Sequence, residues 1–330
     1  PLFPLLLLLA AALAPPPAAG YTPCPASALQ PFFPKRWGNR APNFVNVGAQ
    51  FPLFKAGTSA PDTGGWRRLA AFLLAIQHIN DKDDGFFDDV LPNTTLFFAV
   101  RDSRRDSGEA VVNAFKLWNE FDAHVHIGPA SSGPTRDAQA VLKLPEVGVP
   151  QISYSATSAT LSETTTYPMF LRTPPSDVIQ AEAMVSLVKQ QGWTRVCVLA
   201  GMDAYSATGG DDVARLVRES SGLSLLKHST FVSGSEDVSE QIAQLRRSQC
   251  PLIMLWAQAG DLRTVIAEAD RQGLKADHHA RPVMWVISET VLGSFEDVCR
   301  DQLDVCRRVV RGALATTPSR LSTRKMRCRA

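Results

Sequence analysis

Phe44-Val-Asn-Val-Gly-Ala-Gln-Phe51 is a short β-rich run, and a loop containing Gly and Pro separates it from Trp66–Asn80, where Leu69, Phe72, Leu73, Ile76 and Ile79 recur at helical spacing. Thr95–Arg101 is β-rich again. Strand, amphipathic helix and strand in that order form a βαβ unit, because parallel strands need a crossover of this length between them. The cycle continues through helix Gly108–Phe121, strand His124–Ile127, helix Pro134–Leu144 and strand Gln151–Tyr154. These elements predict a first α/β lobe over residues 41–172, with helices on both faces of a parallel sheet.

Phe170-Leu-Arg-Thr-Pro-Pro-Ser-Asp177 then brings two prolines and a helix-starting Ser/Asp pair, which predicts a crossover into a second body. Helix Val178–Gln191, strand Thr194–Ala200, helix Gly210–Ser220, strand Leu223–Phe231, helix Val238–Arg247, strand Leu252–Trp256, helix Asp261–Gln272 and strand Val283–Ile287 follow. They predict a second lobe over residues 173–315, and residues 316–330 turn basic and aperiodic, as an irregular tail. Two three-layer α/β/α bodies joined by a hinge bind ligands where the carboxyl ends of their strands point, so ligand binding is the expected function.

Composition agrees. The 330 residues are 45% hydrophobic, enough for two buried cores, and a formal net charge of +2 excludes the footprint of a nucleic-acid binder. Pro1–Ala14 is one apolar run followed by small residues, which reads as the hydrophobic part of a secretory signal over residues 1–20; a membrane anchor is the alternative, but the run is shorter than the roughly 18 apolar residues a span needs. Six cysteines, Cys24, Cys197, Cys250, Cys299, Cys306 and Cys328, permit disulfides in an oxidising compartment. Cys299 and Cys306 flank a turn-sized segment and are the expected pair, whereas Cys197 lies in a buried strand and is expected as a small core residue. Asn93-Thr94-Thr95 is a glycan acceptor triplet in a loop.

Constellations for catalysis are missing. There is no GxSxG, HExxH, GxxxxGK[ST], CxxC or GxGxxG, so no enzyme activity and no cofactor are expected. His124-x-His126 would share one strand face, but no third ligand stands nearby in sequence, and no metal site is expected. The acidic run Asp81-Lys-Asp-Asp84 with Asp88-Asp89 lacks the twelve-residue calcium-loop pattern and reads as a solvated loop. What remains are hydroxyls at strand ends, in Gly128-Pro-Ala-Ser-Ser132 and Tyr154-Ser-Ala-Thr-Ser158. Such groups at a helix N-terminus suit a small carboxylate, and they also cap helices and turns in proteins generally.

Gly128-Pro-Ala-Ser-Ser132, Val149-Pro-Gln-Ile-Ser-Tyr-Ser-Ala-Thr-Ser-Ala-Thr-Leu-Ser162, Tyr167-Pro-Met-Phe-Leu-Arg-Thr-Pro-Pro-Ser-Asp177 and Gln180-Ala-Glu-Ala-Met184 through Gly192-Trp193 closely resemble the metabotropic glutamate receptors, within the wider class C and natriuretic-receptor ligand-binding family. Leu91-Pro-Asn-Thr-Thr-Leu96 and Arg101-Asp-Ser103 match an earlier family segment, and the likeness runs over roughly residues 44–315. The resemblance implies a bilobed, periplasmic-binding-protein-like type I clamshell, truncated at its C-terminus because the strands that return to the first lobe are not reached. It places Ser132, Ser155 and Thr157 where the family's first lobe holds an amino acid's carboxylate, and Asp177 and Tyr205 where the second lobe meets its ammonium. Glu289 stands where the family has a second ammonium-binding Asp. Gly64 replaces a Tyr found in many glutamate receptors, and Arg104 replaces a Cys, so one family disulfide is missing.

The resemblance further implies an extracellular region that senses a small molecule, an amino acid above all, at the plasma-membrane surface or as a secreted piece. Homodimerisation through first-lobe helices and attachment to the membrane by a later C-terminal region belong to the same expectation. A soluble or anchored solute-binding protein for amino-acid-like ligands is the alternative.

Overall fold

The computed structural model describes residues 43–276 and 282–317. The segment read as a secretory signal, Cys24, Cys328, His278-His279 and the tail from residue 318 onward lie outside the described residues. Two compact units emerge, the first ending its main run at Ala156 and including 163–173, the second holding Thr157–Ser162 and the chain from Pro174.

The first unit is a parallel sheet in the order β2-β1-β3-β4-β5, built from β1 (Phe44–Phe51), β2 (Thr95–Asp102), β3 (Val125–Ile127), β4 (Gln151–Ser153) and β5 (Phe170–Arg172). Its helices are α1 (Thr63–Asn80), α2 (Ser107–Asn119) and α3 (Ser132–Leu142). Alternation along β1 divides the faces. Val47, Ala49 and Phe51 pack with Leu69 and Ile76 of α1, while Gly48 turns towards α2, where a Cβ would stand 3.0 Å from the Ala123 Cβ and 3.2 Å from the Leu117 Cβ. Asp62 caps α1 by accepting from Gly65 N at 3.0 Å, and Asp106 caps α2 by accepting from Glu109 N at 2.8 Å.

The α2/α3 face carries an internal polar layer. Gln50, His126 and Gln151 are each fully buried there, as is Gln139 of α3. Gln50 Nε2 donates to Ala110 O at 2.9 Å and to His126 Nε2 at 3.0 Å, and Gln151 Nε2 donates to Gly128 O at 2.9 Å. His124 accepts from Asn46 N at 3.0 Å through Nδ1. His126 of β3 and His124 just before it are thus engaged by groups of the neighbouring strand β1, on the face the alternation predicts.

In the second unit the parallel order is β10-β9-β8-β6-β7, with β6 (Arg195–Gly201), β7 (Ser224–Phe231), β8 (Leu252–Trp256), β9 (Met284–Ile287) and β10 (Leu314–Ala315). Helices α4 (Asp177–Gln190) and α5 (Ser206–Glu219) cover one face, where Met184, Val188, Val213 and Val217 pack on Val196, Val198, Met254 and Trp256. Helices α6 (Ser239–Arg247), α7 (Leu262–Arg271), α8 (Glu289–Asp301) and α9 (Leu303–Val309) bring Ile242, Leu245, Val265 and Val309 onto Leu199, Ile253, Leu255 and Trp285 of the other. β8 is buried along its whole length, which is why Leu252-Ile-Met-Leu-Trp256 reads as a continuous apolar run instead of an alternating one.

Several expectations are corrected. Cys197 is a fully buried core residue and also disulfide-bonded, to Cys250, because adjacent strands β6 and β8 bring the two Cα atoms to 6.0 Å. The expected Cys299–Cys306 bond is present, but it joins α8 to α9 and does not close a simple turn. Phe170–Arg172, read as crossover, is an edge strand pairing with β4. Helix α5 begins at Ser206, four residues before the Gly210 start that the glycines invited. Those glycines are needed inside the helix: a Cβ on Gly209 would lie 2.2 Å from the Trp256 ring, and one on Gly210 2.3 Å from the Ala200 Cβ.

Candidate functional site

The first-unit candidates occupy the loops after β3 and β4. Gly128 ends β3 at φ 87°, and a Cβ there would meet Gln50 O at 2.4 Å, so only glycine fits the turn. Pro129 O then accepts from Thr135 Oγ1 at 3.0 Å and from Ser153 Oγ at 2.7 Å, which joins the two loops. Ser132 is the first residue of α3 and is buried; Ser131, at the N-cap, makes no side-chain cap bond, leaving the first-turn amides of α3 without a cap from that residue. Ser153 Oγ accepts from Ala156 N at 2.9 Å and folds the Tyr154–Ala156 turn, on which Ser155 is half-buried. Tyr154 stacks on Phe51 with centroids 5.1 Å apart, donates to Gln50 O at 2.9 Å, and carries the Arg68 guanidinium 5.9 Å from its ring centre. Burial holds its hydroxyl protonated, with its pKa raised above the usual phenol range.

Thr157, Asp177, Tyr205 and Glu289 all belong to the second unit. The resemblance put Thr157 on the first lobe, but its segment packs with the second: Thr157 O accepts from Asp177 N at 2.9 Å, and the Ser158 hydroxyl shares a hydrogen bond with Thr208 Oγ1 at 3.0 Å. Asp177 opens α4 at 1% exposure, where the helix dipole favours its charge. Tyr205 precedes α5 and donates to Glu289 Oε1 at 2.9 Å. Burial first, and then the charges of Glu289 and Asp177, push the Tyr205 pKa well above its ordinary value, so the phenol stays a donor. Glu289 opens α8, and its Oε2 has no hydrogen-bond partner among the described residues. The second unit therefore gathers two acids around a buried phenol, whereas Ser132 and Ser155 lie one on each of the two first-unit loops that Pro129 O joins.

Sequence reasoning missed what holds Tyr205 in place. Asp203 Oδ1 accepts from Tyr205 N at 3.0 Å, Ser206 N at 3.2 Å and Gln258 Nε2 at 2.7 Å, and Oδ2 accepts from Ser233 Oγ at 2.7 Å. Asp261 accepts from Gly234 N at 2.7 Å and Gln258 N at 3.1 Å. Two carboxylates thus tie the loops after β6, β7 and β8. Burial opposes the charge of Asp203, but hydrogen bonds from Ser206, Ser233 and Gln258 outweigh it and lower its pKa; for Asp261 burial wins, aided by the nearby Asp203 charge, and the pKa is raised. An Asp just ahead of a helix is a capping signal that could have been read in Gly201-Met-Asp203.

Two parallel α/β units of this kind define a periplasmic-binding-protein-like fold, an architecture of ligand-binding proteins. The family described as "Receptor family ligand binding region" matches residues 67–326, most of the chain, and the protein belongs to it. It is 27% identical over 312 residues to metabotropic glutamate receptor 4 of Rattus norvegicus, covering 85% of this chain and 32% of that one. It is 30% identical over 218 residues to Taste receptor type 1 member 1 of Homo sapiens, covering 61% of this chain and 24% of that protein. The chain therefore spans about a third or less of the length of these relatives. Among the described residues, no helix is long and apolar enough to cross a membrane.

Proposed function

We propose that this ligand-binding region senses a free α-amino acid at the outer surface of the cell, by binding and without turnover. Asp177, Glu289 and the Tyr205 phenol would take the ammonium, and Ser132, Ser155 and Thr157, with the first-turn amides of α3, would take the carboxylate. The observation that carries this reading is the Tyr205–Glu289 hydrogen bond beside a buried Asp177, with one Glu289 oxygen unpartnered. A primary ammonium supplies the positive charge and the donors that such a cluster calls for. Each charge-assisted hydrogen bond formed would contribute about 1.5–3 kcal/mol.

Thermal melting in the presence of each standard amino acid tests the proposal. At least one, at millimolar concentration, raises the midpoint of the wild type, and Asp177→Asn and Glu289→Gln abolish the rise. No shift with any of them would reject the reading. A homodimer through the first unit belongs to the same proposal, supported by Val112 and Phe115, which α2 leaves 48% and 49% exposed; Phe115→Glu should then lower the mass seen by light scattering. Asn93 is exposed on the turn before β2 and would carry a glycan, which enzymatic deglycosylation of secreted protein would reveal as a mass loss removed by Asn93→Gln.

A further inference from the structure

The loop between β1 and α1 borders an open cavity of about 370 Å³ in the first unit, lined by Phe54, Gly57, Thr58, Ser59 and Arg104. None of the amino-acid-site candidates lines it. Its shape is fixed from both sides. Asp102 Oδ1 accepts from Leu53 N at 2.8 Å and Arg104 N at 2.9 Å, while the Thr58 hydroxyl donates to Lys55 O and accepts from Ala60 N, each at 3.2 Å.

Arg104 and Arg105 are consecutive residues in the left-handed region, at φ 48° and 57°, an arrangement that non-glycine residues rarely adopt. The two side chains then diverge in use. Arg105 is committed to Asp62, with Nε and Nη2 each 2.9 Å from the same carboxylate oxygen. Arg104 has its Nε 3.5 Å from Asp102 Oδ2 and is paired with nothing else among the described residues, so its two terminal amino groups keep their donors. Phe54 meets Trp66 edge to face, with centroids 6.3 Å apart, and supplies an aromatic wall.

A guanidinium with unused donors, hydroxyl-bearing residues and an aromatic wall around a few hundred cubic ångströms match a small acid with a flat apolar body. We propose that this cavity is a second ligand site, which binds a small aromatic or similarly planar carboxylate through Arg104, with the ring against Phe54. Benzoate is the test probe. It carries no ammonium, so the acids of the second unit offer it nothing, and its binding is independent of the amino-acid reading.

In a titration of the full chain followed by amide ¹H–¹⁵N spectra, benzoate should shift Gly57, Thr58 and Ser59 saturably, with a millimolar dissociation constant. Arg104→Gln should weaken this at least about tenfold, the loss of one charge-assisted contact, while Arg104→Lys should keep part of it. Benzylamine, with the charge reversed, should shift nothing there. Shifts that fail to saturate, that survive Arg104→Gln, or that benzylamine reproduces would overturn the assignment, as would the absence of any shift in folded wild type.

Discussion

His126 makes the first unit sensitive to acid, and the size of the effect follows from its surroundings. The imidazole is fully buried between the sheet and α2/α3, and that burial alone drives its pKa from 6.5 down to about 3. The folded state therefore keeps the ring neutral through a range where the unfolded chain takes up a proton. For a base depressed in this way the stability is complete above the unfolded value of 6.5 and falls as pH drops through the window down to about 3. Within that window the slope approaches about 1.4 kcal/mol per pH unit, and integrating from about pH 7 to about pH 5 gives a loss of roughly 2 kcal/mol. His126→Gln keeps an acceptor for Gln50 Nε2 but cannot titrate. The assay is hydrogen exchange of the slowest amides of β1 and β3, corrected for the intrinsic pH dependence of exchange, in both proteins at the two pH values. Every other titrating group is common to both, so the difference between their pH slopes isolates this ring, even where the substitution costs stability at neutral pH. The wild type should lose about 2 kcal/mol more than the variant between those pH values; parallel slopes, within about 0.5 kcal/mol, would show that the ring is solvated or already paired and would refute the reasoning.

Gly209→Ala should destabilise the second unit by about 1–3 kcal/mol, since the added methyl would sit 2.2 Å from a fully buried Trp256 ring, and urea unfolding followed by tryptophan fluorescence checks it. Replacing Cys197 and Cys250 by alanine removes a cross-link between residues 53 apart; chain entropy puts the loss near about 4 kcal/mol, readable as an earlier unfolding midpoint of the second unit. In a calorimetric titration, Asp203→Ala should weaken the binding of whichever amino acid raises the melting midpoint by about tenfold, because Tyr205 N, Ser206 N and Gln258 Nε2 lose their shared acceptor, while Asp203→Asn, which keeps one acceptor oxygen, should recover part of it.

Legibility in the sequence followed the strength of the local pattern. Phe44–Phe51 and Leu252–Trp256 match the structure at both ends, because a β-rich run bounded by turn residues has one reading at that length. The glycines of α5 were misplaced because a glycine marks both a helix boundary and a close approach, and only the Trp256 ring and the Ala200 methyl across the sheet decide between them. Helices α8 and α9 were not anticipated beyond the cysteine pair that joins them. The polar layer of Gln50, His126 and Gln151 was invisible for a related reason. Strand-order crossovers bring β1, β3 and β4 side by side although Gln50 lies 76 residues before His126 and Gln151 comes later still, and in sequence each side chain is an isolated polar residue in an apolar run.

The candidate site shows the same limit. Asp177, Tyr205 and Glu289 could be named from a family pattern, yet their grouping depends on three helix starts at one end of a parallel sheet, Asp177 and Glu289 as the first residues of α4 and α8 and Tyr205 as the residue just before α5. That is a consequence of topology: in a parallel sheet every crossover helix begins at the carboxyl edge, so residues far apart in the chain are delivered to one rim. The Asp203–Gln258–Asp261 network makes the rim act as a unit, because the loops after β6, β7 and β8 cannot shift separately without breaking bonds to a buried carboxylate. It follows that substitutions at Ser233 or Gln258, loop residues that touch none of the candidate ligand residues, should alter ligand affinity through Asp203 and Tyr205, whereas changes at exposed positions on α6 or α7 should leave it unchanged.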